Sequence, residues 1–66
     1  MALVVNGEPH PYREGMTLSE LLEEKRFTFP LKVIHVNGKL IKRDAWAETV
    51  LKDGDVVQVV HLVSGG

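Results

Sequence analysis

The residues best suited to chemistry in this 66-residue sequence are its last two, Gly65 and Gly66. Gly66 has no Cβ, so the carbon of its carboxyl group is open to attack and has no neighbouring stereocentre to racemise. Gly65 adopts backbone conformations that other residues disfavour, so a thin tail that includes Ser64 could enter a narrow site. The pattern suits a carboxyl group presented to another enzyme. By itself, however, a Gly-Gly end is more typical of a frayed terminus.

The other reactive side chains form no recognisable site. The three histidines are far apart in the sequence and there is no cysteine, so we predict no metal site. The glutamates between positions 20 and 24 fall on the surface of a predicted helix, which is typical of a solvated face. Ser64 has no evident general base, so we predict no catalytic residue in this chain.

The composition limits the protein to a small, ordinary globular class. We predict a single domain over residues 1–66, because the chain has no room for a second core. The net charge of −1 gives no field for attracting nucleic acid or an acidic membrane. No stretch has the ~20 apolar residues of a membrane span, and the first residues lack the features of a signal peptide. We therefore expect a cytoplasmic protein with neither nucleic-acid nor membrane partners.

The tail, about residues 63–66, follows the most apolar run of the chain, which we predict to be a central strand. Strand alternation places one set of its side chains on one face, and Val56, Gln58, Val60 and Leu62 on the other. Both sets are largely apolar, so one must lie partly in water, where it would suit a partner. Coverage of that patch by loops and Trp46 is an equal alternative. We take as candidate partner-binding residues Val57, Val59, His61, Val63 and Trp46.

The elements that must position this strand are marked by turns and caps. Two Asn-Gly pairs, at positions 6–7 and 37–38, predict β-hairpins. Prolines at positions 9 and 11 predict that the strand over residues 8–13 lies at a sheet edge, since proline lacks a backbone donor. Thr17 and Glu20 form a capping box, and leucines at positions 18, 21 and 22 make one apolar stripe. A helix of about ten residues is unstable alone and must pack on the sheet.

These elements predict an α+β fold of the β-grasp, or ubiquitin-like, type. The order is two strands, a helix, two strands, a short helical turn over residues 43–48, and the final strand. We expect a mixed sheet of four to five strands with one main helix on one face. The final strand should pair in parallel with the first, which the helical crossover allows.

At this point the sequence resembles the ThiS family of sulfur carrier proteins of thiamine biosynthesis, over its whole length. The resemblance lies in "VNGEP", "EGMTLSELLEE", the second half from "VIHVNGKL" through "LKDGDVVQVVHLV", and the Gly-Gly end. Family members typically have Gly where this chain has Ser64, a departure that a narrow channel should tolerate. The resemblance implies a protein substrate and not an enzyme.

In that family the carboxylate of the residue equivalent to Gly66 is adenylated with ATP by a ubiquitin-activating-type enzyme, ThiF. A sulfur-donating protein then helps convert it to a thiocarboxylate, which the thiazole synthase ThiG consumes. The resemblance thus implies that this chain binds no cofactor stably. Two alternatives stay open, namely a carrier like the small subunit of molybdopterin synthase and a ubiquitin-like modifier or binding module.

Overall fold

The computed structural model describes residues 2–28 and 31–62. Within those residues the chain forms five strands, one α-helix and one 3₁₀ helix, in the order that the sequence predicts. The elements are β1 (Ala2–Val5), β2 (Glu8–Pro11), α1 (Leu18–Glu24), β3 (Lys32–Val36), β4 (Lys39–Ile41), the 3₁₀ helix (Arg43–Glu48) and β5 (Val56–His61).

The five strands form one mixed sheet with the order β2-β1-β5-β3-β4. β5 lies in the middle, parallel to β1 and antiparallel to β3, and the two outer pairs are antiparallel hairpins. The predicted α+β arrangement, including the central final strand, is confirmed. β2 is an edge strand as its prolines predict, although it ends at Pro11 and not at Arg13.

Both hairpin turns use the backbone freedom of their Asn-Gly pairs. Asn6 and Gly7 have φ of 50° and 84°, and Asn37 and Gly38 have φ of 53° and 81°. Positive φ at both central residues gives a turn whose twist matches that of the flanking strands. These turns therefore fix the register of each hairpin.

The helix begins as predicted and ends earlier. The Glu20 backbone N–H donates to Thr17 Oγ1 at 3.2 Å, and the Thr17 N–H donates to Glu20 Oε1 at 2.9 Å, completing the capping box. The helix stops at Glu24 after seven residues because Arg26 takes a left-handed φ of 59°. The Phe27 N–H then donates to the Leu22 carbonyl at 2.9 Å, a Schellman ending in which arginine stands where glycine is usual.

The core lies between α1 and one face of the sheet. Alternate residues of the strands meet the leucine stripe of the helix there. The buried residues are Leu3, Val5, Met16, Leu18, Leu21, Leu22, Ile34, Leu51, Val57 and Val59.

Neither helix in the described residues combines the length and hydrophobicity that crossing a membrane requires.

Candidate functional site

The strand that leads to the tail is held from both sides. β5 shares a ladder with β3 from Val36 opposite Val57 to Lys32 opposite His61. Just past the strand, the Leu62 N–H donates to the Leu31 carbonyl at 3.0 Å. The predicted tail residues Ser64, Gly65 and Gly66, together with Val63, lie outside the described residues. The structure therefore describes the base of the tail and its support.

On the β1 side, an asparagine side chain continues the pairing where β1 ends. The Val59 N–H donates to Asn6 Oδ1 at 2.8 Å, and Asn6 Nδ2 donates to the Val59 carbonyl at 3.3 Å. The carboxamide thus copies the two hydrogen bonds that a neighbouring strand would make. Asn6 therefore extends the support of β5 by two residues beyond Val57, toward the tail.

A second asparagine supports the start of β5 from the other hairpin turn. The Val56 N–H donates to Asn37 Oδ1 at 2.9 Å, and the Asn37 N–H donates to the Val56 carbonyl at 2.7 Å. Asn37 Nδ2 also donates to Asp55 Oδ1 at 3.0 Å. Sequence reasoning identified both asparagines as turn formers and missed these long-range bonds. One signal could have indicated these bonds. Each asparagine is the first residue of an Asn-Gly pair, and the two turns flank the same strand in the predicted sheet.

The sheet face away from the helix carries an apolar patch, which we call the open face. Its β5 members Val56 and Val60 are 42% and 50% exposed, and Leu40 on β4 is 53% exposed. β3 lies between β5 and β4 and joins these residues across the face. Its residue Val33 stands opposite Val60, and its residue His35 pairs with Gln58 of β5 and with Leu40 of β4. Exposed apolar side chains with polar ones among them are typical of a partner surface.

This geometry corrects the candidate surface at two residues. Val57 is 0% exposed and Val59 is 8% exposed, so both side chains belong to the core and neither can line a docking surface in the folded protein. The reason is the alternation of side chains along the strand, which places Val57 and Val59 on the face that packs under α1. The surface-facing members of β5 are the alternate set that begins at Val56.

The other candidates lie away from the open face. His61 is exposed and stands opposite Lys32, at the tail end of the strand. Trp46 is half-buried in the 3₁₀ helix, and its Nε1–H donates to the Ile41 carbonyl at 3.0 Å. It lines a cleft with residues of α1, so it does not cover the open face. The alternative prediction that Trp46 covers this face is therefore wrong.

One charged network ties the edge strand to the end of the helix. His10 Nε2 donates to Glu24 Oε1 at 3.0 Å, and Arg13 pairs with the other oxygen of Glu24. Hydrogen bonds from Arg13 and His10 lower the pKa of Glu24, and the same carboxylate raises the pKa of Arg13. Because Arg13 and Glu24 are exposed to solvent, we assign the network to holding β2 against α1 and not to catalysis.

The described residues hold no group of three histidine, aspartate or glutamate side chains placed to bind a metal ion. The arrangement that the structure does provide is a supported strand that leads to the tail, with an open apolar face beside it. Such an arrangement can present a terminal group to another protein.

Comparison with known proteins decides the family. The sequence model of the ThiS family matches residues 3–66. The chain belongs to the ThiS family. A sulfur carrier protein ThiS of Thermus thermophilus is 40% identical over 62 residues, which cover 94% of this chain and 95% of that protein. The predicted membership of this family is confirmed by the match.

Two further relatives extend the comparison. The solved structure of the thiamine biosynthesis protein ThiS from Geobacter metallireducens has a TM-score of 0.85 and 32% identity, with full coverage of both chains. The β-grasp prediction is thereby confirmed. A thiazole synthase of Magnetococcus marinus is 33% identical over the whole of this chain, which spans only a fifth of that enzyme's length. A ThiS-like segment therefore occurs within a longer protein that bears the name of a thiazole synthase.

Proposed function

We propose that this ThiS-family chain is a sulfur carrier of thiamine biosynthesis that works through the carboxyl group of Gly66, the last residue of the sequence. The observation that carries the proposal is the family match, which extends through the Gly-Gly pair to residue 66. The supported strand β5 agrees with it, because a carrier must hold a short tail clear of its own fold.

The chemistry requires activation before sulfur can enter. A carboxylate is a poor electrophile because its leaving group would be oxide. Attack of a Gly66 carboxylate oxygen on the α-phosphorus of ATP forms an acyl adenylate and releases pyrophosphate. A sulfide-level nucleophile then attacks the acyl carbon, and AMP leaves with the electron pair of the broken C–O bond. The product is a thiocarboxylate, whose sulfur a later enzyme takes up.

The fold contributes reach and aim to these steps. The last described backbone hydrogen bond before the tail joins the Leu62 N–H to the Leu31 carbonyl at 3.0 Å. If fully extended, the four residues beyond it would reach about 13 Å, enough to carry Gly66 into a recessed site while the sheet stays outside. The absence of side chains at Gly65 and Gly66 keeps the end of that reach narrow.

We assign ATP binding and catalysis to partner proteins. ATP and the catalytic groups would belong to an adenylating enzyme of the ThiF type, assisted by a sulfur-donating protein. The acceptor would be a thiazole synthase of the ThiG type. The Magnetococcus relative supports that partner, because it carries a segment like this chain within a protein named a thiazole synthase. The open face around Val60 and Leu40 is the surface we assign to docking.

The test is intact mass spectrometry after incubation with ATP, a ThiF-type enzyme of the same host and sulfide. We expect a mass increase equal to the exchange of one oxygen for one sulfur, located in the C-terminal peptide. A matched variant with one alanine added after Gly66 should gain no sulfur, because its terminal carboxyl group is displaced from the reactive position. An unchanged mass for the wild-type chain would contradict the proposal, and an isopeptide bond to lysine would instead indicate a modifier.

A further inference from the structure

A cleft between α1 and the 3₁₀ helix is not used by the function proposed above. Its volume is about 280 Å³, and we call it the Trp46 cleft. Its apolar walls are Leu22 and Phe27 at the end of the helix and Trp46 on the opposite side. This cleft is on the helix side of the sheet, so it is separate from the open face.

Two cations lie on the tryptophan at the rim of this cleft. Lys32 Nζ is 5.0 Å from the centre of the Trp46 ring, and the Arg43 guanidinium carbon is 5.4 Å from it. Partial burial and the nearby charge of Arg43 lower the pKa of Lys32. These two positive charges over one ring give the rim a charge that is complementary to a carboxylate of a partner. Glu23 contributes one negative charge at the helix side of the cleft.

The Trp46 cleft also lies beside the base of the tail. Lys32 is the first residue of β3 and stands opposite His61, the last residue of β5. The next backbone bond in that direction joins Leu62 to Leu31. A protein that takes the tail into its active site would therefore bring its own surface close to Lys32 and Trp46.

We propose that the Trp46 cleft is a second docking site for the thiazole synthase partner and receives an acidic segment of that enzyme. An apolar side chain of the segment packs against Leu22, Phe27 and Trp46, and a neighbouring carboxylate pairs with the cations at the rim. This inference rests on the proposed function, because that function supplies the partner. Contact at both the open face and the cleft fixes how the tail points when the enzyme engages it.

The test measures the affinity of the carrier for its host's thiazole synthase by calorimetry, with Lys32→Gln/Arg43→Gln against the wild type. Removing two charges from a rim contact should weaken binding on the order of tenfold, and added salt should weaken the wild type more than the variant. The indole N–H signal of Trp46, the one tryptophan in the chain, should shift on binding of ¹⁵N-labelled wild type. Thermal unfolding of each variant checks that the fold is intact.

The matched control removes two charges at the far end of the sheet. Lys39 stands opposite Val36, at the other end of β3 from Lys32, and Lys52 precedes the start of β5. Lys39→Gln/Lys52→Gln should bind within about twofold of wild type. Equal weakening in both double variants, or no weakening in the first, would overturn the inference while leaving the carrier function intact. Wild type that forms a thiocarboxylate but does not bind the synthase would overturn the docking inference and the choice of partner. Failure to form a thiocarboxylate would contradict the carrier function itself.

Discussion

The two faces of the sheet place side chains of the same strand in different surroundings. On the helix side, Val57 and Val59 of β5 are closed into the core with the leucine stripe of α1. On the open face, Val56 and Val60 of the same strand remain 42% and 50% exposed. The residue types are alike, and the side chains differ only in the direction that strand alternation gives them.

The comparison shows how a very small protein can keep the side chains of its core apart from the apolar side chains that it leaves exposed. A chain of this size buries a modest fraction of its surface and has few core residues to spare. Placing the core on one set of β5 residues leaves the other set available to a partner. Substitutions on the helix side should therefore change stability, and those on the open face should change binding.

The largest effect is expected on the helix side. Leu21→Ala should cost about 2–5 kcal/mol of unfolding free energy, because it removes a fully buried side chain and leaves a cavity under α1. Urea unfolding followed by circular dichroism measures the loss. The control is Leu40→Ala on the open face, which should stay within about 0.5 kcal/mol of wild type. Similar losses at both positions would refute the division between the two faces.

A second effect should appear where the hairpin turn supports β5. Asn6→Gly keeps the positive φ of 50° that the turn needs but removes both side-chain bonds to Val59. Because that site is partly buried, the variant should lose about 1–3 kcal/mol of stability. Hydrogen exchange at the Val59 amide should rise with it.

Asn37→Gly provides the comparison for this prediction. Its side-chain bond to the Val56 N–H is exposed to solvent, so water can replace it and the loss should be smaller. An Asn6→Gly variant as stable as wild type would show that the carboxamide does not extend the ladder in solution.

The open face should respond in binding and not in stability. Val60→Thr/Leu40→Thr places β-branched threonine, which suits a strand, at both positions and removes apolar surface, so the unfolding free energy should change by less than about 0.5 kcal/mol. Affinity for the thiazole synthase should fall by about 1–2 kcal/mol, since exposed apolar groups would be buried in the complex. Calorimetry measures the affinity, and urea unfolding of the same samples measures the stability. Unchanged affinity would remove the open face from the docking surface.

The smallest effect concerns the charged network of β2 and α1. The pKa of Glu24 is lowered in the folded protein, first by the hydrogen bond from Arg13 and then by that from His10. The ionised carboxylate therefore stabilises the fold above its unfolded pKa, and this contribution is lost as the pH falls through the folded pKa. Glu24→Gln should lower the melting temperature slightly at neutral pH, with the difference vanishing in acid. Glu48→Gln, in the exposed part of the 3₁₀ helix, serves as the control, and a pH-independent difference would contradict the assignment.

Much of the architecture could be predicted because its signals are local. The Asn-Gly pairs specify their turns through φ, the Thr17 and Glu20 pair specifies the helix start, and Pro9 places β2 at an edge. The end of the helix could not be predicted in the same way. Arg26 adopts a left-handed conformation that favours glycine, so nothing in its residue type marked the stop at Glu24.

The candidate surface was harder to predict for a physical reason. β5 has valine on both of its faces, so alternation separates two sets without showing which one meets the helix. Packing decides it, since Val57 lies in the core while Val60 lies outside. The bonds of Asn6 to Val59 span 53 positions in the sequence and carry no local signal. The meeting of Lys32 with Trp46 likewise depends on how the 3₁₀ helix packs.

The most direct test of the carrier account is the chemical state of Gly66 in protein isolated from its host during thiamine starvation. Mass spectrometry of the C-terminal peptide should detect a fraction in which sulfur has replaced one carboxyl oxygen. That fraction should increase when the thiazole synthase is deleted, because the acceptor of the sulfur is then missing. A C-terminus that is found only as a carboxylate under both conditions would contradict the account.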